Sequence, residues 1–155
     1  MHFEGKKILN HNINKIWINL NDPNIIKNCI DGCYEFNKLE ENEYKASVKV
    51  NLGPVNANFK GKVKISNINK PNSYTIIADG NAGQLGFAKS TVLVTLEANA
   101  EKTSLIYNAD TKISGKIAQI GARLIEGSVQ KNTESFFKNF EKLLEDPLKD
   151  TEDNL

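Results

Sequence analysis

Residues 115–144, GKIAQIGARLIEGSVQKNTESFFKNFEKLL, constrain the fold more than any other stretch. The run holds no proline and Pro147 stands just beyond it, so it reads as one helix. A single helix of that length spans on the order of 40 Å. Ala118, Ala122, Ile125, Val129, Thr133, Phe136, Phe140 and Leu143 recur at steps of three or four and share one face. That face is small at its start and large at its end. Such a taper suits a helix that lies close to a sheet at one end and stands off it at the other. Gly121 and Gly127 each cost about 1 kcal/mol against Ala inside a helix, which implies a packing or ligand reason for them.

The bulk composition narrows the function classes. A length of 155 residues suits one domain with a real core. The net charge of +1 argues against nucleic-acid binding, which needs a concentrated basic surface. The start of the chain does not read as a signal peptide, and no run approaches the ~20 apolar residues of a membrane span. The expected location is the cytoplasm, with reduced thiols. The domain is expected to cover residues 1–144, with 145–155 a polar, acidic tail that frays.

The rest of the chain divides by period. Residues 2–10 alternate loosely and suit a first strand. Asn12 or Asn14 can cap a short helix containing Ile16, Trp17 and Leu20. Asn21-Asp22-Pro23 can cap a second one, NIIKNCI, with Pro at its first position, ending near Gly32. The period then changes to two. Tyr44, Ala46, Val48, Val50 and Leu52 form one inward set, and Val55, Ala57, Phe59, Gly61, Val63 and Ile65 another. A two-residue turn at Gly53-Pro54 pairs Leu52 with Val55, Val48 with Phe59 and Ala46 with Gly61, so all inward residues meet. Pro54 is awkward in the favoured hairpin turns, which leaves a longer loop open. Further strands run through Tyr74–Gly80, Ser90–Leu96 and Leu105–Ile113. The bend AGQLGFAK lies before Ser90, and its part from Ala82 to Phe87 is a candidate gate.

One strand, two short helices, about six strands and one long helix make an α+β fold. The single long helix is the only element able to cover the inner face of a curved antiparallel sheet. The inward set is rich in Ala46, Ala57, Gly61, Ala78, Gly80, Ala109, Ala118 and Ala122, which predicts an apolar cavity between sheet and helix.

Chemistry-bearing residues are few. Cys29 and Cys33 are four apart, but zinc needs four ligands and the only histidines are His2 and His11. They read as small buried residues, with metal or redox use the sharper alternative. The inward hydroxyls are Tyr44, Tyr74, Ser90, Tyr107, Thr111 and Thr133, with no inward His or carboxylate; Asp79 and Asp110 fall on the outward phase. That set suits binding rather than acid–base catalysis. Lys45, Lys49, Lys60, Lys62 and Lys64 point outward from one hairpin, with Lys45 opposite Lys62 and Glu43 opposite Lys64. They form a solvated face or a docking patch for an anionic membrane or an acidic partner. Arg123, the sole Arg, stands three residues before Glu126, a spacing that suits a surface ion pair or a partner contact.

Several blocks carry a family likeness. They are Trp17 with Leu20-Asn21-Asp22-Pro23, Cys29-Ile30-Asp31-Gly32-Cys33, Gly53-Pro54-Val55 with Phe59-Lys60-Gly61-Lys62-Val63, and Asn72-Ser73-Tyr74. Gly86-Phe87-Ala88-Lys89 and Gly115–Ile125 complete the set. In these the chain resembles the CoxG family, named for a subunit of carbon monoxide dehydrogenase, within the START-like (SRPBCC) superfamily. The likeness covers nearly all of residues 1–142. The resemblance implies a helix-grip (START/Bet v 1-like) fold. It has a curved antiparallel sheet of six to seven strands, two short helices, one long C-terminal helix and an internal apolar cavity. It implies a non-catalytic accessory protein of a molybdenum-containing carbon monoxide dehydrogenase or related hydroxylase. That protein binds a lipophilic ligand, a quinone or lipid, and helps recruit the enzyme to the inner face of the membrane. No cofactor or metal is expected.

The expected cavity residues are Trp17, Phe59, Tyr74, Ser90, Tyr107, Ala118, Ala122, Ile125, Val129 and Phe136. Trp17 reads as a core residue or as a closure of the cavity mouth. The expected docking residues are Lys45, Lys49, Lys60, Lys62, Lys64 and Arg123. The family pattern has Pro where this chain has Asp31. Many members also extend beyond the long helix with an apolar membrane-binding end, whereas this sequence stops soon after Pro147. A small enzyme of the same fold, cyclase-like or hydrolase-like, would require an inward acid–base pair. A pure assembly or docking module would have its cavity filled by side chains.

Overall fold

The alternating segments pair in the register that their apolar residues dictate. In the computed structural model, which describes residues 1–145, β3 (Glu43–Leu52) and β4 (Val55–Asn69) place Leu52 opposite Val55, Val48 opposite Phe59 and Ala46 opposite Gly61. The turn is the two-residue one. Gly53 adopts φ 63°, as the first central residue of a type II′ turn requires, and Pro54 takes the second position, where φ near about −65° is wanted. Proline therefore suits this turn, and no longer loop is needed.

The remaining strands are β1 (His2–Leu9), β2 (Cys33–Glu40), β5 (Ser73–Asn81), β6 (Phe87–Asn99) and β7 (Lys102–Ser114). All seven form one curved antiparallel sheet in the order β1-β7-β6-β5-β4-β3-β2. The strand β2 is the one that the alternation did not place. Its register with β3 shifts twice, between Cys33 and Glu35 and between Lys38 and Glu40, so its apolar residues keep no strict period of two.

Two short helices sit at one end of the sheet. Asn12 caps α1 (Ile13–Leu20), its side chain accepting from the Lys15 N–H at 3.0 Å. Asp22 caps α2 (Pro23–Cys29) in the same way through Asn24, with Pro23 in the first turn. The core under them joins Leu9, Ile16, Trp17, Ile25, Cys29, Tyr74, Leu96 and Leu105 to Phe137, Phe140 and Leu144 of α3 (Ala122–Glu145). Full burial of a side chain such as Phe140 contributes about 1.5–3 kcal/mol.

The long helix departs from its expected form at the start. Residues Lys116–Ile120 form a short 3-10 turn, and Gly121, at φ 103° and ψ 147°, separates it from α3. That backbone is open essentially to glycine alone. Ala118 and Ala122 consequently leave the expected face and lie exposed, while Ile117 turns inward and is 1% exposed. Further along, the buried seam runs Ile125, Phe137, Phe140, Leu144, with Phe136 and Leu143 partly buried against the same core. Of the expected tail 145–155, all but Glu145 lies outside the described residues.

The two glycines of this segment should respond oppositely to alanine. Gly121 has open space around it but a backbone that an L side chain rarely adopts. Gly121→Ala is expected to cost about 1–3 kcal/mol. Gly127 sits in the helix interior with no atom within 4 Å of an added Cβ. Gly127→Ala is expected to stabilise by about 0.5–1 kcal/mol. Urea unfolding midpoints of the two variants check both signs.

Both cysteines are free, Cys29 buried and Cys33 half-buried, with the Cys33 thiol donating to the Glu35 carbonyl oxygen at 3.3 Å. Burial pushes the Cys29 thiol from its ordinary 9.0 up to about 12, and burial is also the main cause raising Cys33. A thiol kept protonated is a poor nucleophile. A disulfide reagent at pH near ~8 should leave Cys29 untouched in the folded protein and label it in denaturant. The stabilisation from holding the Cys29 proton is present below pH 9 and is lost between 9 and about 12, as the unfolded chain ionises first. Unfolding midpoints measured across that window should fall.

Candidate functional site

The stand-off between helix and sheet leaves a cavity of about 600 Å³. One wall is the inner face of the sheet. The other is α3, through Ile125, Val129, Thr133, Phe136 and Phe137. Small residues make the room. Ala78 and Ala109 line it, while Ala57 joins a smaller cluster with Leu52 and Ile117 that closes one end. Two aromatic side chains pack directly against glycines. A Cβ on Gly5 would meet the Tyr107 hydroxyl at 2.4 Å, and one on Gly80 would meet the Phe59 ring at 3.1 Å. Glycine at these positions lets both rings lie against the sheet.

Seven of the ten residues expected to line the cavity do so: Phe59, Tyr74, Ser90, Tyr107, Ile125, Val129 and Phe136. Three do not. Ala118 and Ala122 are turned out by the break at Gly121. Trp17 is 5% exposed and packs its ring edge-on to Tyr74, 5.3 Å between centroids, as part of the core beside the cavity. The cavity also takes Phe3, Phe36, Ile76, Val92 and Phe137, which the sequence pattern did not single out as site residues. Phe137 was legible from its spacing of three and seven residues before Phe140 and Leu144; Phe36 lies on the irregular strand β2.

The polar lining is sorted by side. On the helix, Ser128 Oγ donates to the Asn51 carbonyl oxygen at 2.9 Å, and Thr133 Oγ1 donates to the Val129 carbonyl oxygen at 2.8 Å. These hydroxyls serve the fold. On the sheet, Ser90 Oγ and Thr111 Oγ1 lie 2.8 Å apart. Tyr74 is 3% exposed, and burial raises its hydroxyl well above its ordinary value. Among the lining residues Asp31 is the one carboxylate. Asp31 and Asn132 are exposed and mark where the cavity meets the surface. Asp31 accepts from the Ser135 hydroxyl, and from the Asn139 amide at 3.2 Å. Asp79 and Asp110 face outward: Asp79 accepts from the Lys62 N–H at 3.2 Å, and Asp110 pairs with His2 at 2.8 Å. Such walls can enclose an apolar molecule and offer it hydroxyl groups.

Among the described residues no three His, Cys, Asp or Glu side chains gather as a metal cluster. No helix there is long and apolar enough to cross a membrane. The bend before β6 is packed rather than open. Leu85 joins the cluster around Ile117, and Gly86 and Gly115 approach so closely that a Cβ on Gly115 would lie 2.7 Å from the Gly86 Cα.

The outward lysines lie on β3 and β4 as the alternation predicts. Lys45 and Lys62 stand opposite each other. Each reaches a carboxylate, Lys45 to Glu35 at 4.0 Å and Lys62 to Glu43 at 3.6 Å. Lys49 lies 5.4 Å from the Tyr34 ring centroid. Lys60 and Lys64 are exposed and have no ion pair among the described residues. Arg123 is exposed, and no ion pair joins it to Glu126.

Comparison with known proteins fits this geometry. The conserved protein from Geobacillus kaustophilus, a solved structure, is 28% identical, with a TM-score of 0.87 over 93% of this chain and 95% of that one. Ara h 8.0201 is 17% identical, with a TM-score of 0.67 over 93% and 97%. The Zhui aromatase/cyclase from Streptomyces sp. R1128 is 11% identical, with a TM-score of 0.66 over 94% and 93%. The last two share the fold, which is the helix-grip fold. No curated protein matches significantly. The family model for CoxG, a subunit of carbon monoxide dehydrogenase, matches residues 5–145, and the chain belongs to that family.

Proposed function

We propose that this protein is a non-catalytic accessory protein of a molybdenum-containing carbon monoxide dehydrogenase or a related hydroxylase. It holds one lipophilic molecule, a quinone or a lipid, and helps bring the enzyme to the inner face of the membrane from the cytoplasm. The observation that carries the binding part is the cavity of about 600 Å³ with walls almost wholly of aliphatic and aromatic carbon. That volume is in the range of sites that enclose small apolar ligands. The partner is suggested by membership of the CoxG family. The docking part rests on the lysines of β3 and β4, of which Lys60 and Lys64 have no ion pair among the described residues.

Native mass spectrometry of gently purified protein, followed by organic extraction, tests the binding reading. The expected result is one lipophilic molecule per chain. Val129→Trp fills the cavity from the helix side and should weaken uptake of added quinone or lipid by at least about tenfold, with the fold intact by circular dichroism. A clean apo mass with no uptake of quinones or lipids would instead support an assembly module.

The docking reading has its own test. At a membrane surface a lysine contributes at most about 1 kcal/mol. Reversing Lys60, Lys62 and Lys64 to Glu should therefore cut binding to anionic vesicles, or co-purification of the dehydrogenase, by more than about tenfold. Unchanged binding removes this face from the docking role.

A further inference from the structure

The register arranges the inner face of the sheet in rows across strands β5, β6 and β7. Tyr74, Val94 and Tyr107 form one row, and Ala78, Ser90 and Thr111 form another. All six residues line the cavity. Ser90 is four residues from Val94, so the two rows lie roughly 13 Å apart along the strands. The first row is crowded, with Trp17 edge-on to Tyr74 and Tyr107 stacked on Phe137. The second is bounded by the methyl group of Ala78 and leaves room for an incoming molecule.

The hydroxyls of this second row are not used up by the fold. Ser90 Oγ and Thr111 Oγ1 are 2.8 Å apart and share one hydrogen bond. Two hydroxyls carry two protons, and one bond between them consumes one. The remaining proton has no other acceptor among the described residues. A donor is therefore left facing an apolar cavity, where an unmade hydrogen bond is costly.

Resting on the reading that the cavity holds a lipophilic molecule, we propose that the Ser90–Thr111 pair is its polar anchor, selecting molecules that carry a carbonyl oxygen at one end. The hydroxyl with the free proton donates to that oxygen, and the partner hydroxyl donates to it in turn, so the two bonds reinforce each other. The apolar body of the ligand then lies along the strands toward Tyr74.

Two probes of matched shape test this: 2-acetylnaphthalene, which has the carbonyl, and 2-ethylnaphthalene, which lacks it. Titration of the wild-type protein should show both bound, and Ser90→Ala/Thr111→Val should bind the ketone about fivefold to tenfold more weakly with the hydrocarbon unchanged. Each single variant keeps one hydroxyl with a free proton and should hold the ketone within about threefold. The exchange Ser90→Thr/Thr111→Ser restores the pair and should restore the ketone. In the wild type, the carbonyl stretch of isotope-labelled bound ketone should fall at the hydrogen-bonded position, a readout that needs no variant to fold. An unshifted stretch, as in alkane, or a double variant that keeps its ketone affinity, overturns the anchor while leaving the cavity reading in place. If neither probe binds the wild type, the cavity reading fails and the anchor falls with it.

Discussion

The cavity exists because α3 is fastened at its far end and left standing off the sheet in between. Phe137, Phe140 and Leu144 join the main core, and Phe140 is 0% exposed. At the near end Ile117 fills a second cluster with Leu52 and Ala57. Between those anchors the helix touches the rest of the fold through buried Ile125, the Ser128 bond to the Asn51 carbonyl, the Ser135 bond to Asp31 and the approach of Leu124 to Gly53. Burial at the ends sets the height of the helix over the sheet. The residues in between need only be short enough not to fill the gap. Gly121 belongs to the same arrangement, since its backbone lets the chain leave Ile117 buried and turn into α3 on a new axis.

The sheet keeps its side of the cavity open by placing glycine under aromatic rings. Tyr107 lies over Gly5, and Phe59 lies over Gly80. Both rings thus bury area against the backbone, and Tyr107 also stacks on Phe137 of the long helix. Atoms lining an empty space lose dispersion partners that they would have in a packed core. An apolar guest of suitable shape restores those contacts. The clusters at either end hold without it, so binding need not organise the fold.

Where one rule decided the structure, the sequence could be read; where two rules competed, it could not. The hairpin register followed from the alternation of Tyr44–Ile65 alone, because a slip of one residue would turn every apolar side chain to water. The caps at Asn12 and Asp22 were equally plain. The start of the long helix was not, because Gly121 is tolerated inside a helix at modest cost and required where φ is strongly positive. Only the burial of Ile117 against Leu52 and Ala57, a tertiary contact, selects the second. Ala118 and Ala122 fit the helical period and still end up exposed for that reason. Strand β2 escaped because its bulges break the period of two. Of the two readings of Trp17, a core residue or a closure of the mouth suggested by the fold resemblance, the structure has the first: its ring packs beside Tyr74 in the core.

Asp31 fastens the loop after α2 to the long helix from the rim where the cavity meets the surface. Its carboxylate accepts from Ser135 and Asn139 of α3, and Asn139 also donates to the Cys29 carbonyl oxygen at 3.1 Å. The loop after α2 is therefore held by tertiary bonds to the helix. Those bonds occupy both carboxylate oxygens, which suits a clasp between loop and helix better than a proton-transfer group. They also tie the rim of the cavity to α3.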